Sequence, residues 1–170
     1  MIGYVCKYTP VEVFEAMGVE IRRIQPEVTN FNQADTLMHP NICSFTKSVL
    51  EDVLAGDYEG VVLTTCCDSI RRLYDVLKQQ CPDKFLYLLD VPRKVNDFST
   101  EMYRKNILDM VHAYEAFSGK TFDETVLKQL LERREAGQNL RTAPKNKASV
   151  HIGLMGARCS KGIIDLLENR

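Results

Sequence analysis

The uninterrupted apolar run Val61-Val62-Leu63, continued by Thr64-Thr65, constrains the fold more than any other stretch of the chain. A strand with one wet face alternates polar and apolar residues, so a continuous run reads as a strand buried on both sides. Its neighbours repeat the theme. Residues 2–6 form a short apolar run, and Tyr8-Thr9-Pro10 opens a helix with Thr9 as N-cap and Pro10 at the first helical position. Val11, Phe14 and Met17 recur at helical spacing, Gly18 ends the helix, and residues 19–24 form a second strand. Strand-helix-strand is the building unit of a parallel sheet.

Residues 25–40, rich in Asn, Gln, Asp and Pro, read as a long loop. Asn41 caps a helix over 42–54 with Phe45, Val49, Val53 and Leu54 on one side, and Gly56 ends it. After the 61–65 strand, Asp68 or Ser69 caps a helix running through Leu77, and residues 85–89 form a further strand closed by Asp90-Val91-Pro92. Helices follow over 100–117 and 123–135, terminated by Gly119 and Gly137. Residues 141–147 are basic and linker-like, 150–155 a strand, and 161–169 a helix. Strands alternating with helices predict a three-layer α/β fold around a mostly parallel sheet, Rossmann-like or flavodoxin-like, with additional helices.

At 170 residues, 45% of them hydrophobic and 26% charged, the composition is that of a soluble globular chain. A net charge of -1 supplies no basic field, so neither nucleic acid nor an anionic membrane is expected as a partner. There is no apolar stretch of membrane-spanning length and no basic, signal-like start, which predicts a cytoplasmic location. Thiols stay reduced there, and six cysteines point to metal or redox chemistry rather than a disulfide frame.

In parallel sheets ligands bind outside the carboxyl ends of the strands. Cys6, the Cys66-Cys67 pair and Cys159 each follow a strand, which directs them to one edge, and Cys43 in the first turn of its helix joins them. Cys81, at a helix end, belongs to the opposite rim. Free cysteine is often mere core, and strand alternation makes Cys66 packing while Cys67 faces the site. Cys43 and Cys67, both near helix starts whose dipoles favour thiolates, are the candidate ligands for zinc or an iron-sulfur cluster. Neither a C-x-x-C zinc pattern nor a ferredoxin-type cysteine run is present. His39 is the one histidine placed to join a mixed site, while His112 and His151 read as structural. Gly153-x-x-Gly156 with Lys161 lacks the order of a phosphate loop. Arg71-Arg72 and Arg133-Arg134 read as solvated helix faces, and Glu12 and Asp68 as first-turn acids.

Gly3-Tyr4, Tyr8-Thr9-Pro10-Val11-Glu12, Asn41-Ile42-Cys43-Ser44-Phe45, Gly56-Asp57-Tyr58, Cys67-Asp68-Ser69-Ile70-Arg71-Arg72-Leu73 and Leu89-Asp90-Val91-Pro92, in this order, resemble the 2-hydroxyacyl-CoA dehydratase family, which includes benzoyl-CoA reductase subunits. The resemblance implies an α/β protein holding a 4Fe–4S cluster through cysteines, with Cys43 and Cys67 as its first two ligands. It also implies an acyl-CoA substrate, an ATP-dependent activator that injects one electron, and a homo- or hetero-oligomer. Family subunits are longer, with a further cluster cysteine in their second half. The resemblance therefore divides the chain into an α/β domain over 1–147 and, over 148–170, the first strand and helix of a second domain. This predicts a truncated or split member, or one without the catalytic cluster. Cys159, and less readily Cys66 or Cys6, stands as a substitute third ligand. The alternatives are a non-catalytic electron-transfer or scaffold subunit sharing a cluster across an interface, and a metal-free α/β binding module.

Overall fold

β3 (Gly60–Thr64) is buried along its whole length. It lies between β1 (Ile2–Tyr4) and β4 (Phe85–Leu89), and β2 (Ile21–Arg23) pairs with the far side of β1. All three pairings are parallel, with Val62 opposite both Tyr4 and Tyr87. The order β2-β1-β3-β4 is that of a flavodoxin-like sheet, since a Rossmann sheet would extend from β2 to β3 on the same side of β1. A computed structural model of the chain describes residues 1–27, 30–137 and 161–168.

Alternation along β3 feeds two cores. Val61 and Leu63 face α3 (Ser44–Ala55) and α4 (Asp68–Gln80), meeting Val49, Val53, Leu73 and Leu77. Val62 faces α1 (Val11–Ala16) and α5 (Asp97–Ser118), among Phe14, Phe85, Met110 and Tyr114. The predicted three layers are thereby present. Gly60 has no alternative in this sheet, because a Cβ there would lie 2.4 Å from the Phe85 carbonyl oxygen. On the α5 side the Tyr114 ring meets Phe14 and Phe85 edge-on, with centroids 5.2 and 4.9 Å away. Such contacts add to burial itself about 0.5–1.5 kcal/mol each.

The 85–89 strand occupies the residues predicted for it, and Gly18 ends α1 with φ +65°, a left-handed conformation that side chains disfavour. Three local readings are corrected. Thr9 does not cap α1: it is buried, its Oγ1 has no hydrogen-bond partner, and its carbonyl accepts from Val11 N–H. The N-caps of α3 and α4 are Cys43 and Cys67, so neither Asn41, Asp68 nor Ser69 fills that position. The predicted loop over 25–40 contains α2 (Asn32–Leu37). This helix lacks a side-chain cap of its own. Glu51 of α3 supplies one, accepting from the backbone N–H of Gln33 and Ala34 at 2.7 and 2.8 Å, and Lys47 pairs with Asp35 at 2.6 Å.

α5 starts in a capping box made by Asn96 and Ser99 and ends at Gly119, slightly outside the predicted 100–117 span. α6 (Glu124–Gly137) packs on α1. Arg134 is not a merely solvated residue, because it grips Glu12 and Glu15 of α1. Arg71 and Arg72 are exposed as expected. The chain divides into two units, Met1–Gly137 and Gln138–Arg170. In the second, α7 (Lys161–Glu168) matches the predicted helix, while the predicted 150–155 strand and 141–147 linker lie outside the described residues. No helix among the described residues is long and apolar enough to cross a membrane.

Two predictions follow from these contacts. Glu51→Ala strands two N–H groups at the start of α2 and lowers stability by about 2–4 kcal/mol, read as a shift of the urea midpoint without a change in slope. Tyr114 donates to Glu59 Oε1 at 3.0 Å and Tyr58 to Asp52 Oδ2 at 2.7 Å. Burial, then the hydrogen bond to a carboxylate and its charge, push each phenol up to about 12. The unfolded phenols ionise near 10 while the folded ones hold their protons. Their contribution is therefore complete below pH ~10 and is lost as pH rises toward 12. Thermal melts across that window show the loss, and Tyr114→Phe flattens it.

Candidate functional site

The carboxyl ends of β1, β3 and β4 gather the chemistry-bearing residues at one edge. α3 and α4 both begin there with a cysteine at the N-cap, and both Cys43 and Cys67 are exposed. Their extended backbones (φ -64°, ψ 147° and φ -156°, ψ 165°) hold the side chains beside the first turn of each helix, where unpaired N–H groups favour negative charge.

The thiolate form of Cys43 is favoured relative to that of an ordinary cysteine. Its Sγ lies 3.1 Å from Thr46 Oγ1. Burial pushes the thiol up, but hydrogen bonds from the Thr46 side chain and backbone, the Ser69 hydroxyl and the Phe45 backbone outweigh it, so its pKa lies below the ordinary value. Ser69 belongs to the first turn of α4, so the N-terminus of α4 directly supports the thiol of α3. Cys43 and Thr46 have the spacing of a capping pair, a signal legible in the sequence. Nothing in the sequence marks Ser69 as their neighbour.

Cys66 corrects the sequence reading. It is exposed rather than core, because β3 ends at Thr64 and the chain turns through Thr65 and Cys66. Thr65 is drawn toward the end of β4: its N–H donates to the Leu89 carbonyl, its hydroxyl to Asp90 Oδ1, and Val91 N–H donates to it. Strand alternation therefore does not separate Cys66 from Cys67, and their side chains interact. Burial, opposed by the Thr64 hydroxyl and reinforced by Cys67 and Cys6, pushes the Cys66 thiol up. Cys43 and Cys66 are thus treated oppositely at the same edge.

Cys6 is half-buried beside Cys66, and both line one cavity. Cys81 is buried at the C-cap of α4, on the opposite rim as predicted. Cys159, His151 and the Gly153–Gly156 turn lie outside the described residues. His39 is exposed and its Nδ1 accepts from Asn41 N–H at 3.2 Å, while His112 is an exposed residue of α5. Glu12 is occupied by Arg134, and Asp68 is an exposed first-turn acid. Among the described residues, no group of three or more His, Cys, Asp and Glu side chains could hold a metal ion.

A family model described as 2-hydroxyglutaryl-CoA dehydratase, D-component, matches residues 6–149. The chain belongs to this family. The match begins just after β1 and takes in β2, β3, β4 and the N-termini of α3 and α4, and so includes Cys6, Cys43, Cys66 and Cys67. A curated relative is the (R)-phenyllactyl-CoA dehydratase beta subunit of Clostridium sporogenes, 27% identical over 139 residues that cover 77% of this chain and 36% of the relative. The chain thus spans little more than a third of that dehydratase subunit's length.

The opposed settings of Cys43 and Cys66 are measurable. Alkylation by iodoacetamide, followed by peptide mass spectrometry across pH, labels Cys43 at lower pH than Cys66. Thr46→Val and Ser69→Ala each move the Cys43 profile to higher pH and leave that of Cys66 in place.

Proposed function

We propose that Cys43 and Cys67 are thiolate ligands of a 4Fe–4S cluster in a hetero-oligomeric dehydratase acting on a 2-hydroxyacyl-CoA thioester. The observation that carries this reading is the meeting of two helix N-termini, each with an exposed cysteine at its N-cap, one of them supported as a thiolate across the junction by Ser69. Soft sulfur donors in a field that favours their ionised form fit an iron-sulfur cluster. When bound, such a cluster supplies low-potential electrons and a Lewis-acidic iron.

The contribution of this chain is to present the two thiolates on rigid helix starts. Thr46 and Ser69 hold the Cys43 charge, and β3 and its turn fix Cys67 relative to it. The remaining ligands come from outside the described residues, Cys159 or a partner subunit supplying them. The curated relative's designation as a beta subunit supports a partner. An ATP-dependent activator delivers the electron in this reading. The curated relative's designation as a beta subunit also supports a second reading, a subunit that shares its cluster across an interface for electron transfer or as a scaffold.

Anaerobic purification and reconstitution, followed by iron and acid-labile sulfide assays with visible and EPR spectra, test the ligand assignment. Bound iron is expected in the parent chain and is lowered in Cys43→Ser and Cys67→Ser, while Cys81→Ser retains it. Undiminished iron in the two N-cap variants rules out these ligands. A parent chain without iron leaves a metal-free α/β binding module.

A further inference from the structure

The order β2-β1-β3-β4 reverses direction between β1 and β3. In open parallel sheets the crevice outside the carboxyl ends at such a switch point is where ligands lodge. A cavity of about 520 Å³ opens there, lined by Cys6 after β1 and by Thr64, Thr65 and Cys66 at the end of β3. That volume is within the range of small-molecule sites. β3 alternation places Thr64 on the Val62 side of the sheet, toward α1 and α5, whereas Val61 and Leu63 face α3 and α4. The cavity is therefore distinct from the Cys43 side of the edge.

Its chemistry selects a ligand class. Val91 and Pro92 give it an apolar wall, and Tyr103 of α5 donates to the Tyr8 carbonyl at 2.6 Å, fixing two aromatic residues at its border. Arg93 and Lys94 line it, both exposed, and neither is in an ion pair with a described residue. None of the residues lining it is acidic. The turn after β1, residues 5–10, contains no glycine and so lacks the signature of a Gly-rich pyrophosphate loop. The anion is thus one that two side-chain cations satisfy. Most of the contact surface left for its body is apolar.

We propose that this cavity binds a small apolar monocarboxylate, its carboxylate at Arg93 and Lys94 and its body against Val91, Pro92 and the Tyr8–Tyr103 border. The inference does not rest on the cluster reading, because none of these groups is Cys43 or Cys67.

Titration of the ¹⁵N-labelled full chain with 3-phenylpropanoate, followed by NMR, tests it, with 3-phenylpropanamide and inorganic phosphate as comparison arms. Saturable shifts are expected at the amides of Cys6, Cys66, Lys94 and Tyr103. The neutral amide binds roughly tenfold or more weakly, as does the carboxylate to an Arg93→Ala/Lys94→Ala variant that keeps a native spectrum. Both cations are exposed, so the variant's fold is preserved. Phosphate binding as tightly as the carboxylate overturns the apolar-body assignment. No saturable shift up to about 10 mM, or shifts confined to other surfaces, overturns the site itself.

Discussion

Burial of β3 on both faces is the constraint from which the rest of the structure follows. A strand of Gly-Val-Val-Leu-Thr with no exposed residue requires helices above and below it and hydrogen-bonded strands on either side. Gly60 lets the start of β3 approach Phe85 more closely than a side chain permits. With β1 and β4 both parallel to it, all carboxyl ends meet at one edge, and every helix that follows a strand begins there. The position of the chemistry is a consequence of this topology, before any cysteine is considered.

The elements legible in the sequence are those whose stability is encoded within their own residues. Phe85-Leu86-Tyr87-Leu88-Leu89 is an apolar run between turn signals, and Gly18 and Gly119 mark helix ends through left-handed backbone. α2 was hidden because its capping groups are remote: Glu51 and Lys47 are carried by α3, and the six-residue helix has no apolar repeat of its own. Thr9 misled for the converse reason. Thr followed by Pro is a local start signal, but the Thr9 side chain is drawn into the interior and the helix begins from backbone bonds alone.

The same distinction explains how the candidate site was read. Topology alone located Cys6, Cys43 and the Cys66-Cys67 pair, since strand polarity follows from the strand-helix alternation even where the sheet order, Rossmann-like or flavodoxin-like, does not. The state of each thiol was not recoverable. It depends on Ser69 reaching Cys43 from the neighbouring helix and on Thr65 turning toward Asp90, which ends β3 a residue before strand alternation would bury Cys66. Both are contacts between elements distant in sequence, and neither residue type announces its partner.

These contacts divide one sheet edge into two environments. On the α3/α4 side, helix N-termini and hydroxyl donors stabilise a sulfur anion, a setting suited to holding a soft cation. On the α1/α5 side, burial and neighbouring thiols disfavour the Cys66 anion, while Arg93 and Lys94 leave positive charge uncompensated by any carboxylate lining the cavity. The basic residues at the cavity and the hydroxyl donors around Cys43 thus stand on opposite sides of the same strand ends.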